Sequence, residues 1–580
     1  MIEGAAFLLG VAILVFGVDA NWIELLGAAL AAGVARLAPA KTAKALEAVT
    51  KWAELVGRRR AVALILAGAS VVVLRVALLP VWGPPVPAIT DEFSHLLLAD
   101  TLVRGRLTNP THPMWPHFET IHVIHQPSYN SMYLPGQAIF LAAGRLLTGH
   151  PWGGVLLSVA LMSAAFAWML RAWMPAKWAI LGALLGALRF GFRGYWGNSY
   201  WGGAVPALGG ALLLGALPRF QRNPGPVAAF WLGAGAVLVF NTRPFEGLVI
   251  GLPVVWSLFI RLKRVRTEGL SPSLVAGLLT LFAVLAAGAA FTGYYCWRVT
   301  GSPFELPYQV NQRTYGWPLT LPIFKPIEVS HRHVPLQRYY AWELDEHEQL
   351  LNFWKHPFRL AADAVRLWSF YFGPIMSVFL IAGLRQAGGR RRLLVAVLCL
   401  AAAAVAVEQS RYPHYIAPVA PAALALVMLG VRGTLIARSR KRAQAAWPAI
   451  LLLGWLLAAC GRSALGPPPG WADGFNRYIS SWRPPPGNLA RAEVDRYLRT
   501  MGGRHLAIVR YGKSHHWMDE WVYNEADIDN AAVVWAREMG GEADAKLIRY
   551  FHGRRIWLVT PEEVPRIQPY RPQPFERLGG

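Results

Sequence analysis

The 580-residue chain is 54% hydrophobic and only 16% charged, with a mean hydropathy of +0.33. That is too little charge to cover a soluble protein of this length and too much apolar residue for a disordered one. Lysine and arginine outnumber aspartate and glutamate by 57 to 33, a net charge of +24. In so apolar a chain this excess reads as basic loops between membrane spans, with no nucleic-acid partner. Three cysteines exclude a disulfide scaffold.

In chain order, apolar runs at 4–18 and 22–38 predict a helical hairpin turning at Asp19-Ala20-Asn21. Residues 1–60 are read as this hairpin followed by a cytoplasmic linker. Further runs lie at 61–82, 152–172, 177–191, 203–217, 226–241, 247–260, 272–297, 367–385, 393–408, 414–437 and 445–461. They predict an all-α polytopic membrane domain over 61–461, with about 11–13 transmembrane helices counting the hairpin. Several runs fall short of the ~20 residues that a span needs, so those helices recruit semi-polar flanks or tilt. Basic clusters (Arg58–Arg60, Arg171 with Lys177, Arg219 with Arg222, Arg261–Arg266, Arg385–Arg392, Arg438–Arg442) all fall on one side if the runs alternate, and that side is cytoplasmic. The loops 83–151 and 298–366 then face outward. The stretch 134–147 opens with Pro135-Gly136 and carries Arg145, so it reads as a helix on the outer surface that does not cross. The tail 462–580 opens on the linker Gly466-Pro467-Pro468-Pro469-Gly470. It then mixes helix-like stretches (488–501, 527–540) with strand-like ones (His505–Tyr511, Arg555–Thr560), which predicts a small extracytoplasmic α/β domain.

The stretch Ile89-Thr90-Asp91-Glu92-Phe93-Ser94-His95 sets two carboxylates just outside the first long span. Charge so close to hydrocarbon is costly unless it is solvated or used. Either the acids cap a helix running to Arg104, or Asp91 is a general base beside a membrane-facing cleft; the two roles are compatible. The external turn 193–203 carries Asn198, Tyr200 and Trp201, which suit a sugar-stacking wall or an interfacial aromatic belt. Arg243 and Glu246 occupy another turn, either as a pair or as part of a cleft. His122-x-x-His125 is a candidate metal pair without a cysteine partner, and interfacial hydrogen bonding is the stronger reading. Glu343, Asp345, Glu346 and Glu348 read as a solvated helix face, and Tyr511–Glu520 as a polar loop after a strand.

These elements together resemble the membrane glycosyltransferases of the C-type fold, among them the protein O-mannosyltransferases and lipid A aminoarabinose transferases. Asp91-Glu92 is similar to the family's acidic pair, and Tyr133-Leu134-Pro135-Gly136 to its Tyr-Pro-Pro element. Thr300-Gly301-Ser302-Pro303 is similar to a Thr-Gly-Ser-Pro turn, and Ser410-Arg411-Tyr412-Pro413-His414-Tyr415 to an Arg-Tyr element. The resemblance covers about residues 61–461. It implies an inverting transfer of a sugar from a polyprenyl-phosphate carrier to a lipid, glycan or protein acceptor on the external face of a bacterial inner membrane.

On that resemblance Asp91 takes the acceptor proton, and Glu92 positions the acceptor or holds Asp91. Arg411, Tyr412 and Arg243 hold the donor phosphate. His95, Tyr133, Asn198, Tyr200, Trp201, Glu246 and His414 contact the substrates. The second acid that related enzymes often carry in the next external loop is missing from 193–203. No cofactor is certain, and a divalent metal stays open. The competing readings are a transporter or lipid-carrier flippase, for which the mid-span Arg75 is thin support, and a non-catalytic envelope assembly protein.

Overall fold

A computed structural model of the chain describes residues 21–268, 271–318, 325–351, 357–439, 447–465, 475–481 and 484–571. The apolar run 4–18, the linker Gly466–Gly470 and the basic residues Arg440, Lys441 and Arg442 lie outside the described residues. The chain divides into two compact units. The first comprises Met1–Pro84, Val155–Ala290 and Gln349–Pro485; the second comprises Pro85–Gly154, Phe291–Glu348 and Pro486–Gly580.

All eleven apolar runs from 61 onward fall on helix. Among the described residues five helices are long and apolar enough to cross a membrane, from Arg60–Ala77 to Ala417–Ile436, and two bent pairs pass the same test as units. The chain is a mostly helical, multi-pass membrane protein. The run 134–147 forms a helix of only 13 residues, Gly136–Thr148, too short to cross.

Two expectations change in the first unit. The linker before residue 60 is a helix, Pro39–Arg58, bent 110° from Trp22–Leu37. The run 367–385 is divided between two helices, Pro357–Tyr371 and Gly373–Arg385, bent 81° from one another. Gly373 sits at the break with φ +64°, a left-handed conformation that costs a glycine little. The buried Glu24 carboxylate then accepts the Ile375 backbone N–H at 2.9 Å and places an anion at the positive end of the second helix. Arg189 closes the break from the other side by donating to the carbonyls of Phe370 (2.8 Å) and Ser369.

Small residues set the closest helix approaches in this unit. A Cβ built on Gly430 would stand 1.8 Å from the Phe379 carbonyl oxygen, and one on Gly383 would stand 1.9 Å from that of Leu426. Without a hydrophobic drive between helices in lipid, such backbone contact is a main source of association. Gly430→Leu is therefore expected to destabilise the unit by at least the ~1–3 kcal/mol of ordinary overpacking. A lower thermal midpoint of the detergent-purified protein would report it.

Arg75 is buried near the end of its helix. It donates to Asn198 Oδ1 (2.5 Å) and to the carbonyls of Trp82 (2.9 Å) and Gly83 (2.8 Å). Its guanidinium is thus spent on the helix end and on the turn at 193–203, so the main mid-span charge behind the transport reading makes structural bonds.

In the second unit, α1 (Thr90–Val103) packs on α2 (Gly136–Thr148) and on a short antiparallel pair, β1 (Val123–Ile124) and β2 (Asn130–Ser131). Helix α3 spans Val334–Leu351 and α4 spans Leu489–Thr500. A four-stranded sheet has the order β4-β3-β5-β6, with β3 (His505–Val509), β4 (Val533–Arg537), β5 (Arg555–Val559) and β6 (Ile567–Pro569). β3 runs parallel to both β4 and β5, and β6 is antiparallel.

The expected helix at 527–540 is instead the strand β4, followed by helix α5 at Gly541–Tyr550. Val533, Val534 and Trp535 favour a buried pleated surface, and Asp527 turns the chain ahead of them by accepting the Asn530 N–H at 3.3 Å. One core joins the sheet to the loop at 83–151: Phe93, Leu97, Phe118 and Tyr129 pack with Leu506, Ile508 and Val534. Asp100 of α1 adds polar ties, accepting from Ala526 N (2.8 Å), Arg145 (2.7 Å) and Arg104 (3.2 Å). The tail thus shares its core with the loop at 83–151.

Candidate functional site

Helix α1 begins where Glu92 folds back on its own start. The buried Glu92 carboxylate accepts the N–H groups of Ala88 (2.8 Å) and Ile89 (3.3 Å), two donors that a helix start leaves open. With that capping done by Glu92, Asp91 is left for other work. Its side chain is 20% exposed. It accepts from the Tyr133 hydroxyl and, at 3.3 Å, from Thr90.

Behind this pair stands His122. Its Nδ1 lies 3.0 Å from Thr90 Oγ1, 3.2 Å from the Tyr133 hydroxyl and 3.7 Å from Asp91 Oδ2. Its Nε2 lies 2.7 Å from the Tyr339 hydroxyl, which donates to Glu343 Oε1 at 2.7 Å. That donation uses the Tyr339 proton, so Nε2–H donates to Tyr339 and Nδ1 is left to accept from Thr90, whose single proton it shares with the Asp91 carboxylate. The result is a continuous chain of polar groups from a part-exposed carboxylate to a buried one. His122 also has φ +63°, a left-handed backbone rare for a side-chain residue and typical of constrained functional positions. His95 stacks on Tyr133 with centroids 4.5 Å apart, and both are buried.

Burial pushes the His122 imidazole below its ordinary value, against the pull of the Asp91 charge, so it is neutral near pH 7. Burial likewise lowers His125 to about 3, with the charges of His112 and His333 adding to it. His333 falls to about 4, through burial and then the Arg537 charge. The unfolded chain binds protons at these histidines below about pH 6.5 while the folded chain does not. Stability of the second unit is therefore expected to fall as pH drops from about 6.5 toward 4. A declining melting temperature across that window, less steep in His125→Gln, is the measurement.

In the first unit the Arg411 side chain is buried. It donates to Val405 O (3.1 Å) and Asp363 Oδ2 (3.1 Å), and Arg366 reaches the same carboxylate. The Arg243 guanidinium covers the Tyr415 ring at 4.3 Å, and Arg366 lies over Tyr412 at 5.7 Å. His414 is held between the Tyr195 hydroxyl (3.1 Å from Nδ1) and the Trp201 ring (4.2 Å). Glu246 is buried, as is Glu408, which sequence reasoning did not single out. Asn198, Tyr200 and Trp201 are all buried. The Asn198 amide is spent on Arg75 and on the carbonyls of Phe192, Arg193 and Gly194, so it braces the turn.

No family model matches the chain, and no curated protein matches it. Solved structures do resemble it. One is the Archaeoglobus fulgidus oligosaccharyltransferase tethered with an acceptor peptide, at 12% identity and a TM-score of 0.44, over 78% of this chain and 62% of that one. Another is ArnT from Cupriavidus metallidurans bound to undecaprenyl phosphate, at 13% identity and a TM-score of 0.44, over 88% of this chain and 93% of that one. The chain spans less than two thirds of the length of the oligosaccharyltransferase. These are likenesses of helical membrane architecture, and they assign no residue a role.

Sequence reasoning found Asp91, Glu92, His95 and Tyr133 together, and the structure groups them in one unit. It missed Tyr339 and Glu343 as partners of His122. Glu343, read as part of a solvated face, is 6% exposed. The available signal was the Tyr339-x-x-x-Glu343 spacing, which puts both side chains on one helix face. His122 and His125 do not form a metal pair: the segment between them is the strand β1, and His125 stacks on Tyr129 at 5.4 Å. Among the described residues no three His, Cys, Asp or Glu side chains come together as metal ligands. Both His122 nitrogens already face hydroxyls, so His122 offers no open nitrogen to a metal.

Proposed function

We propose that the chain is a membrane glycosyltransferase that moves a sugar from a polyprenyl-phosphate carrier to an acceptor on the external face of a bacterial inner membrane. The observation that carries this reading is the Asp91 carboxylate. It is part-exposed, aimed by Tyr133 and Thr90, and backed through His122 and Tyr339 by Glu343. Such a group is suited to take a proton from an incoming hydroxyl or amine. As that proton moves to Asp91, the acceptor atom forms its bond to the anomeric carbon. The bond from that carbon to the carrier phosphate breaks, and the phosphate leaves with the electron pair, inverting the sugar. Arg411 and Arg243 are assigned to the phosphate, because a guanidinium matches its oxygens with forked donors. His95 and Tyr133 offer a ring surface to a sugar, and the acceptor is a lipid, glycan or protein.

The test is cell-free transfer by the purified full-length protein in lipid nanodiscs, supplied with labelled polyprenyl-phosphate sugar and a membrane-lipid acceptor extract. Product formation with inverted anomeric configuration is expected. Binding of the carrier without turnover for any acceptor fraction would overturn the reading.

The Tyr339–Glu343 link has its own test. Tyr339→Phe is expected to lower kcat about tenfold with KM unchanged and to shift the acidic limb of the pH profile, because the His122 tautomer is no longer fixed.

A further inference from the structure

A second cleft in the external unit has the chemistry of a binding site that the transfer reaction does not use. It measures about 540 Å³ and opens at the carboxyl ends of the parallel strands β3 and β4, beside the first turn of α3. Open parallel sheets commonly bind ligands at that end, and a helix start adds partial positive charge. The lining carries five cations (Arg332, Arg338, Arg510, Lys513 and Arg537) and one carboxylate, Glu538.

Three of these cations are already answered. Arg510 grips Glu538 with two bonds of 2.5 Å, Arg332 reaches Glu119 at 3.1 Å, and Arg537 reaches Glu520 at 2.7 Å. Arg338 donates only to the Lys513 and His515 carbonyls, at 3.3 and 3.4 Å. Lys513 has no ion pair among the described residues.

The floor supplies an independent observation. Arg537 is 4% exposed, yet its Nε and Nη1 have no hydrogen-bond partner among the described residues. His515, 8% exposed, has its Nδ1 on Glu562 while its Nε2 is likewise unpartnered. Buried donors left open are costly, and Arg537 keeps two of them behind the lining of this cleft, where its charge lies under the cleft with an incomplete set of partners. Tyr511 and Trp517 add ring surface to the same lining, and the volume suits two or three pyranose rings.

We infer that this cleft binds an acidic saccharide, its carboxylate or phosphate group received by Arg338 and Lys513 above the buried charge of Arg537, and its apolar sugar face by Trp517. Binding here does not depend on sugar transfer at Asp91. The experiment is calorimetry and tryptophan fluorescence on the full-length protein in nanodiscs with no donor present, so that no turnover can occur.

The probes are tri-galacturonate, the neutral trisaccharide maltotriose, a sugar monophosphate and inorganic phosphate. Tri-galacturonate or the sugar phosphate is expected to bind at least tenfold more tightly than maltotriose, and whichever binds identifies the acid group. The exposed substitutions Lys513→Gln and Arg338→Gln are expected to weaken that binding at least fivefold each, while melting temperature is retained. Equal affinity for maltotriose, no effect of either substitution, or inorganic phosphate binding as tightly as the saccharides would overturn the inference. So would no binding at millimolar concentration.

Discussion

Asp91→Asn is expected to lower the transfer rate by ~10²–10⁴, the usual worth of a positioned proton acceptor. Asparagine keeps the shape and can still accept from Tyr133, so α1, capped by Glu92, should form as before. The loss should appear in kcat, with carrier binding and melting temperature held. Turnover within threefold of the parent would remove Asp91 from the chemistry. Glu92→Gln makes the contrasting case. It weakens two buried backbone contacts, so its main effect should be on stability, ~1 kcal/mol for a helix cap. If Glu92→Gln abolished transfer at unchanged stability, the division of labour between the two acids would be reversed.

The second large effect is expected at Arg411. Arg411→Gln removes one partner of a buried carboxylate, Asp363, and breaking such a pair costs ~3–5 kcal/mol. Because Arg366 also holds Asp363, the cost should lie toward the lower figure. If Arg411 serves only the fold, Arg411→Gln with Asp363→Asn should recover much of the melting temperature and transfer, since the buried carboxylate is gone and Arg366, which loses it too, still lies over the Tyr412 ring. If it receives the leaving phosphate, the double variant recovers stability while transfer stays at least 10²-fold down, the usual loss for one electrostatic donor. Single-turnover kinetics on both variants separates these outcomes.

What could be read from the chain follows from which interactions are local. The apolar runs and basic clusters are local signals, and every run from 61 onward became helix. The acidic pair was legible for the same reason, since the cap that Glu92 makes is decided within residues 88–92. The break at Gly373 was not, because it depends on Glu24, more than 300 residues earlier, accepting the Ile375 N–H. His122 and Tyr339 meet across 217 positions, and nothing near either residue announces the other. The acidic residues of α3 misled because their density suggested a solvated face, whereas Glu343 alone turns inward to Tyr339. Asn198 misled in the opposite sense: its aromatic neighbours suggested a wall for ligands, and its amide braces the backbone instead. At 527–540 a run of alanines and charges hid a strand whose partner, β3, lies two dozen residues upstream.

The shared core between the first loop and the tail has a consequence for biogenesis. Phe93 and Leu97 pack against residues beyond position 500, and Asp100 holds the backbone of Ala526. During synthesis the segment carrying Asp91 therefore emerges long before the polypeptide that completes its support. It must wait, unfinished, while the later helices are threaded into the bilayer. Contacts of such sequence separation form slowly, so a ribosome-stalled or prematurely terminated product would hold its hydrophobic helices in place yet lack an assembled exterior. The surroundings of Asp91 are therefore complete only once the strands beyond residue 500 have been made.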